Sequence, residues 1–259
     1  MISLYKIGGN VVDDAAALER FCAEFAALPG PKVLVHGGGV RASQVQKALG
    51  QEPVKIEGRR VTDAPALEVV TMVYAGWCNK DIVARLQAHG CDAIGLAGCD
   101  GAAVTAQRRP PRTLSDGVTQ VDFGFVGDVT PASVNVPFVM RLLDAGLTPV
   151  FCAINHDGAG QLLNTNADTM AAAISVALGA KLFYCFEKNG VLCDRNDDGS
   201  VIPGLDPAAY ARLKAEGRVA DGMIPKLDNA FQALRDGAAG VVIRGAERLQ
   251  EAGGTVLTL

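Results

Sequence analysis

An apolar segment that ends in three consecutive glycines constrains this chain more than any other stretch. Val33-Leu34-Val35-His36 has the composition of a buried strand, and Gly37-Gly38-Gly39 separates it from a segment with helical spacing. Glycines without a Cβ let backbone N–H groups approach an anion closely, and a helix that begins there adds its positive N-terminal dipole. The pattern predicts either a phosphate-binding turn or simply a tight strand-to-helix connection.

The composition is that of an ordinary globular protein. The 259 residues are 49% hydrophobic and 20% charged, which allows a large core in one α/β domain or in two joined lobes. The formal net charge of -4 gives no indication of nucleic acid or an anionic membrane as a partner. No stretch is apolar for long enough to cross a bilayer, and residues 2–7 have a strand-like pattern without signal-peptide features. We therefore expect a cytoplasmic protein.

The cysteines argue against a disulfide framework or a structural zinc site. They are odd in number, show no C-x-x-C spacing and mostly have apolar neighbours, so we expect reduced core residues and no metal held by the protein. The seven are Cys22, Cys78, Cys91, Cys99, Cys152, Cys185 and Cys193.

Strand-like and helical segments alternate along the chain, which predicts an α/β fold with a largely parallel sheet covered on both faces. A segment of alternating polarity around Glu57-Gly58 predicts a β-hairpin over the glycine site. We place a boundary between two lobes near residues 178–180, where no linker is present. Predicted strands lie near residues 2–7, 33–36, 93–96, 121–129, 148–154, 182–186, 240–243 and 255–259, and predicted helices near 14–28, 39–49, 65–89, 136–145, 167–178, after Pro207 and after Pro225.

The glycines alone also fit a dinucleotide fingerprint. Gly37-x-Gly39-x-x-Ala42 follows a strand and opens a helix, and Glu57 follows at about the 20-residue spacing of that fingerprint. Taken in isolation, this short pattern indicates an NAD-dependent oxidoreductase.

Three other features favour phosphoryl transfer. Lys6 ends the first strand and is followed by Gly8-Gly9, so two glycine turns from adjacent strands could face one phosphate. Asn164-Thr165-Asn166-Ala167-Asp168 places several polar side chains at a helix start, where an N-cap accounts for only one of them. Lys226 follows a first-turn proline, where the helix dipole repels a cation unless an anion is near.

Taken together, these motifs resemble those of the amino-acid kinase family, in its acetylglutamate kinase branch. The similarity covers essentially the whole chain, in the family's order. The motifs are K-x-G-G at Lys6, H-G-G-G at His36, G-x-R-V-T-D at Gly58, N-x-N-A-D at Asn164 and D-G-M-x-x-K at Asp221.

The resemblance implies a three-layer αβα sandwich with a largely parallel open central sheet. Its N-terminal lobe, residues 1–178, would bind the acyl amino acid and dimerise, and residues 179–259 would bind ATP. The implied enzyme is a phosphotransferase with a carboxyl acceptor, which phosphorylates the γ-carboxylate of N-acetyl-L-glutamate in arginine biosynthesis. Mg²⁺ would be held mainly by the nucleotide phosphates. The residues do not distinguish an acetyl from a succinyl group on the substrate.

The resemblance also implies residue roles. Lys6 and Lys226 would neutralise charge on the phosphoryl group from two sides, and Asp168 would orient both lysines. Arg60 and Asn164 would bind the substrate's α-carboxylate. Phosphate oxygens would be held at Gly8, Gly9, Gly37 and Gly38, and the substrate at Gly38, Gly39, Arg60 and Asn164. Other family activities, on carbamate, aspartate or uridine monophosphate, and a non-catalytic ligand sensor remain alternatives.

The histidines are not needed as general bases, because a γ-carboxylate with a reference pKa of about 4.3 is already ionised at neutral pH. We predict that His36 holds the glycine turn through its ring and that His89 and His156 lie at the surface or in loops.

The chain departs from the family pattern in two places. At the border of the nucleotide site, relatives carry Ser-Asp-Val or Thr-Asp-Val, and this chain has Phe186-Glu187-Lys188 instead. The family pattern therefore does not identify the residues that would contact adenosine here. Trp77 replaces a smaller residue, and we predict that it packs in the core, with a position near the acyl group or in a subunit contact as alternatives.

Members inhibited by arginine carry a helix before the first strand, so the start of this strand at Ile2 predicts an arginine-insensitive homodimer.

Overall fold

A computed structural model describes residues 1–194, 196–219, 222–247, 249–251 and 253–259. Within these ranges, strands and helices alternate as the sequence predicts. The strands are β1 (Ser3–Ile7), β2 (Lys32–His36), β3 (Lys55–Ile56), β4 (Arg59–Arg60), β5 (Ala93–Leu96), β6 (Gln107–Arg108), β7 (Arg112–Thr113), β8 (Gln120–Val121), β9 (Val126–Asp128), β10 (Thr148–Cys152), β11 (Ile154–His156), β12 (Leu162–Thr165), β13 (Lys181–Phe186), β14 (Gly204–Leu205), β15 (Gly240–Gly245) and β16 (Thr255–Leu257). The helices are α1 (Gly9–Asp13), α2 (Ala15–Ala27), α3 (Gly39–Ala48), α4 (Ala64–Thr71), α5 (Asn79–Ala88), α6 (Val136–Asp144), α7 (Ala167–Leu178), α8 (Pro207–Ala215) and α9 (Ile224–Arg235).

The central sheet runs continuously through both predicted lobes. Among the described residues its strand order is β14-β16-β15-β13-β1-β2-β10-β5. Its pairings are parallel except for that of β15 with β16. β1 pairs with β2 on one side and with β13 on the other. The carboxyl ends of strands from both halves of the chain therefore meet at one edge of the sheet, where ligands bind in open α/β folds.

Two hydrophobic cores, one on each face of the sheet, make the three layers. In β1, Leu4 belongs to one core and Tyr5 to the other, and in β2, Val33 and Leu34 divide in the same way, because successive side chains of a strand point to opposite faces. The first core packs against α7 and α9, and the second against α2, α4 and α5. The predicted αβα sandwich with a largely parallel sheet is confirmed.

The predicted long helix over residues 65–89 contains a π-helical segment, Met72–Cys78, between α4 and α5. Tyr74 and Cys78 on this segment are buried, and an added Cβ on Gly38 would lie 2.8 Å from the Tyr74 ring. Trp77 is on the same segment but is not buried with Tyr74 and Cys78. Its side chain is 58% exposed, and the Arg41 guanidinium lies 5.0 Å from its ring centre. The prediction that Trp77 packs in the core is therefore wrong.

The predicted hairpin is formed by β3 and β4. Its two turn residues, Glu57 and Gly58, have φ values of 48° and 73°, the left-handed conformation of a tight hairpin turn. The Glu57 carboxylate accepts a hydrogen bond from the Ser115 amide at 2.8 Å, in the loop between β7 and β8. Glu57 thus joins two hairpins and does not end a strand of the central sheet, so the dinucleotide fingerprint is not formed.

The remaining sequence expectations hold in part. The cysteines are free thiols, but only five are buried, because Cys99 is exposed and Cys193 is half-buried. His89 lies at the surface beside Glu19, whereas His156 belongs to β11. No helix in the described segments has the length and apolar character needed to cross a membrane.

Candidate active site

Three of the predicted catalytic side chains come together at the carboxyl edge of the sheet. Lys6 is the fourth residue of β1 and only 5% exposed, and its Nζ lies 2.6 Å from the Asp168 carboxylate. Lys226 is in the first turn of α9, where its pKa is influenced by both Asp168 and Lys6. Asp168 and Lys226, which lie 162 and 220 positions after Lys6 in the sequence, thus converge with it on one site. Asp221, which begins the D-G-M-x-x-K motif, lies outside the described residues.

The Phe186 ring contacts both lysines. Lys226 Nζ lies 3.8 Å from the ring centre and Lys6 Nζ lies 5.5 Å from it, distances at which an aromatic face attracts a cation. Phe186 is the last residue of β13, the neighbour of β1 in the sheet. The residue that departs from the family pattern therefore faces the two lysines that the sequence analysis predicts to be catalytic.

Asp168 is held from two sides. As the second residue of α7, its amide donates to the Asn166 side chain, which caps the helix at 2.9 Å. Its backbone carbonyl accepts a hydrogen bond of 3.0 Å from the buried Tyr184 hydroxyl. Asn229 on α9 donates to the same hydroxyl at 3.0 Å. This chain of hydrogen bonds connects the elements that carry Asp168 and Lys226.

The charge of Lys226 depends on its surroundings. Burial lowers the pKa of Lys226 from its ordinary value, and the charge of nearby Lys6 lowers it further. Asp168 and Glu187 raise the pKa of Lys226 and so oppose this effect. An anionic phosphate at the site would raise it as well, because an opposite charge favours the protonated amine.

The two glycine turns lie side by side, because β1 and β2 pair in parallel and Ile7 is opposite His36. Gly9 and Gly39 are the first residues of α1 and α3, so their amides have no acceptor within the helix. A Cβ on Gly8 would lie 3.7 Å from Lys6 Nζ. The Gly37 amide donates to the Ile7 carbonyl at 3.3 Å, so it does not point freely at a ligand.

His36 fixes the turn at Gly37-Gly38-Gly39, as the sequence analysis predicts. The fully buried ring bonds through Nδ1 to the Gly37 carbonyl at 2.8 Å and through Nε2 to the Asn79 side-chain amide at 3.0 Å. Asn79 also donates to the Val150 carbonyl at 2.9 Å. Because the amide donates to Nε2, Nδ1 carries the proton and donates to Gly37. Burial lowers the pKa of His36 to about 4.

The buried His36 predicts a loss of stability in acid. The unfolded chain takes up a proton near the ordinary pKa of 6.5, whereas the folded chain does so only near 4. As the pH falls from 6.5 to 4, the free energy of unfolding should decrease by on the order of 3 kcal/mol through this ring. Urea unfolding of wild type and His36→Gln across this pH range measures the effect. The variant should show a shallower decrease, and parallel profiles would contradict the assignment.

The predicted substrate residues line one cavity of about 220 Å³. Gly37, Gly38 and Gly39 form one wall, Asn164 another, and Arg60 of the hairpin closes it. Asn164 donates to the buried Thr62 hydroxyl at 3.0 Å. The Arg60 guanidinium bonds to the Gly39 carbonyl at 2.9 Å, to the Ser43 hydroxyl at 2.7 Å and to the Gln46 side chain. The hairpin arginine is thereby fixed against the start of α3.

The site contains further residues that sequence reasoning missed. Tyr74, Lys55, Arg59 and Arg109 also line the cavity. The signal for two of them was present in the Arg59-Arg60 and Arg108-Arg109 pairs, although only Arg60 belongs to a recognised motif. Tyr74 gave no signal, because a tyrosine in a helical segment resembles any core residue.

The donor set suits a metal ion carried by a nucleotide. In the described part of the chain, no three histidine, cysteine, aspartate or glutamate side chains form a metal-binding group. Mg²⁺ commonly binds through one or two carboxylates together with substrate phosphates and water. Asp168 and Glu187 are the carboxylates whose charge acts on Lys226, so the phosphates would supply most of the ligands.

Comparison with known proteins gives matches over the full length of the chain. A model of the Amino acid kinase family matches residues 1–245. The acetylglutamate kinase of Phocaeicola vulgatus is 46% identical over 260 residues, covering 99% of this chain and 98% of that protein. The acetylglutamate kinase of Cytophaga hutchinsonii is 47% identical over 252 residues, covering 96% of this chain and 92% of that protein.

Solved structures share the fold. The structure of smu.665 from Streptococcus mutans UA159 is 26% identical with a TM-score of 0.77, covering 99% of this chain and 98% of that one. A carbamate kinase from Giardia has a TM-score of 0.66 at 11% identity, with 99% of this chain and 98% of that chain covered. At this low identity, the second similarity is one of fold alone.

Proposed function

Because this chain belongs to the amino acid kinase family, we propose that it transfers the γ-phosphoryl group of ATP to the γ-carboxylate of an N-acylated L-glutamate. The proposed substrate class includes N-acetyl-L-glutamate, and the acyl phosphate product serves arginine biosynthesis. Relatives named acetylglutamate kinase that align over nearly the whole chain support this proposal. The observation that carries it is the pairing of Lys6 with Asp168 at 2.6 Å, beside Lys226.

Charge neutralisation and positioning supply the catalysis. The γ-carboxylate is ionised at neutral pH, so no side chain has to remove a proton from it. Lys6 and Lys226 place positive charge on the transferring phosphoryl group, and the amides of the two glycine turns donate to its oxygens. Asp168 holds Lys6 in place and favours the protonated form of Lys226. Mg²⁺ bound with ATP would neutralise further phosphate charge.

The two ligands approach from different halves of the chain. Residues 1–178 contribute Arg60, Asn164 and the glycine turns, which would bind the acylglutamate. Residues 179–259 contribute Lys226 and the segment after β13, which would bind ATP. In-line transfer requires the two ligands to meet between these halves. The Asp168 carboxylate supports this arrangement, because it pairs with Lys6 and its charge also acts on Lys226.

A hydroxylamine assay tests the proposal, because hydroxylamine traps acyl phosphates. The protein is given MgATP with N-acetylglutamate, N-succinylglutamate, glutamate or aspartate in turn. Turnover with an N-acylated glutamate and none with the free amino acids is expected. Silence with all four, in protein shown to be folded, would overturn the proposal in favour of another family substrate or a non-catalytic sensor.

A homodimer is also part of the proposal, and Trp77 supports it. Met72 and Trp77 are 56% and 58% exposed on the π-helical segment, and their separation of five positions corresponds to about one turn of such a helix. Large exposed apolar side chains that lie together favour a protein contact. Light scattering should give a mass about twice the 26.9 kDa of the chain, and Trp77→Glu should reduce it to one chain. A monomeric wild type would contradict this prediction.

A further inference from the structure

The lining of the substrate cavity carries more positive charge than an N-acetylglutamate can neutralise. Its lining includes Lys55, Arg59, Arg60 and Arg109, and no aspartate or glutamate of the described ranges. N-acetylglutamate has two carboxylates, of which the γ-carboxylate is the phosphoryl acceptor and the α-carboxylate is assigned to Arg60. Its acetyl group ends in an uncharged methyl.

Two of these cations form no salt bridge with the residues that the structure describes. Arg109 is neutralised by Asp128, with Nε 3.1 Å from both carboxylate oxygens, and Arg60 is bonded within the protein. Among the described residues, Lys55 and Arg59 form no salt bridge and no hydrogen bond through their side chains. Both side chains are exposed. Partial burial and the charges of Arg109 and Arg112 lower the pKa of Arg59, and the charges of Asp128 and Glu57 oppose this effect.

The cavity has room beyond Arg59. An open surface groove shares Arg59 and Arg109 with the first cavity and is also lined by Arg112 and Asp128. Asp128 is the one acidic lining residue in the part of the chain that the structure describes, and it is already paired with Arg109. A longer acyl group can therefore extend past Arg59 without meeting an unpaired negative charge.

The geometry of the two hairpins keeps Arg59 at this position. Arg59 begins β4, directly after the turn residues Glu57 and Gly58. The Glu57 carboxylate is held by the Ser115 amide at 2.8 Å, so the turn is anchored to the neighbouring hairpin. A guanidinium on an anchored strand loses less conformational freedom on binding a carboxylate than one on a free loop.

We propose that Arg59, with Lys55, forms a subsite for a carboxylate at the end of the N-acyl group. The preferred substrate is then a glutamate acylated by a dicarboxylic acid, of the N-succinyl type. This inference rests on the proposed function, because it names the acyl group within the same substrate class. A guanidinium binds a carboxylate with two parallel hydrogen bonds, which gives both affinity and selectivity over a methyl group.

Initial rates with N-acetylglutamate and N-succinylglutamate, under saturating MgATP, test the subsite. For wild type, we expect kcat/KM to be about tenfold higher or more for N-succinylglutamate, the effect of one charged hydrogen-bonded contact. Arg59→Gln should lower kcat/KM for N-succinylglutamate about tenfold to a hundredfold, mainly through KM. Arg59→Glu should lower it further, because the two carboxylates repel each other. The matched control is Arg235→Gln, an exposed arginine at the far end of α9, which should retain the wild-type preference.

The outcomes separate the two proposals. No turnover with either acylglutamate overturns the proposed function itself. Turnover with N-acetylglutamate at or above that with N-succinylglutamate overturns the subsite and leaves the kinase assignment intact. An equal loss for both substrates in Arg59→Gln also overturns the subsite, since Arg59 would then not contact the acyl end. Thermal unfolding of each variant tests whether the substitution at Arg59 leaves the protein folded.

Discussion

Lys226→Ala should lower kcat by about a hundredfold to a thousandfold, the loss typical of removing one group that stabilises charge in the transition state. Charge on the phosphoryl oxygens is redistributed during transfer, and a fixed ammonium stabilises it without reorganisation of solvent. The KM for ATP should change far less, because the effect is concentrated in the transition state. Steady-state rates from ADP formation, with both substrates varied, measure the two parameters separately.

The control for this variant is Lys47→Ala, which removes an exposed lysine from the far end of α3. It should leave both parameters near their wild-type values. Unchanged turnover in Lys226→Ala would remove this lysine from catalysis. A large increase in KM for ATP with normal kcat would make it a nucleotide-binding residue instead.

Arg60→Ala should raise the KM for the acylglutamate by about tenfold to a hundredfold, as expected for the loss of a charge-assisted contact to a carboxylate. The buried guanidinium also bonds to Gly39, Ser43 and Gln46, so the variant should unfold at a lower temperature as well. Kinetics at saturating ATP, together with a thermal melt, measure both effects.

Ser43→Ala separates binding from structure, because it removes one hydrogen bond to Arg60 and keeps the guanidinium. Its KM for the acylglutamate should increase by only about threefold, because the guanidinium keeps its bonds to Gly39 and Gln46. If Arg60→Ala instead raised the KM for ATP, the assignment of ligands to residues 1–178 and 179–259 would be reversed.

The three residues proposed to be catalytic could be identified from the sequence because each belongs to a local pattern. Lys6 precedes a glycine turn, Asp168 follows an N-cap asparagine and Lys226 follows a first-turn proline. Each pattern fixes a backbone conformation within a few residues, and strand ends of a parallel sheet meet at one edge. Their convergence at 2.6 Å between Lys6 and Asp168 is then a consequence of the fold.

The predictions that failed concern side chains whose environment is set by distant elements. The apolar character of Trp77 suggested the core, but the π-helical segment turns Tyr74 and Cys78 inward against Gly38 instead. Arg59 belongs to no motif that the sequence analysis used, and its side chain is exposed in the structure. Its position beside Arg109 and Arg112 arises only when the two hairpins meet.

The sequence by itself determined the alternation of strands and helices, the two glycine turns, and the positions of Lys6 before one of these turns and of Lys226 after a first-turn proline. Periodicity and glycine content act over a few residues, so one chain reveals them. Only the tertiary structure decided which side chains share a site. It places the Phe186 ring beside Lys6 and Lys226, and it places Arg59 at the cavity proposed to bind the substrate. The physical reason is that burial and charge pairing are properties of the neighbours in space, and strand order and hairpin packing determine those neighbours.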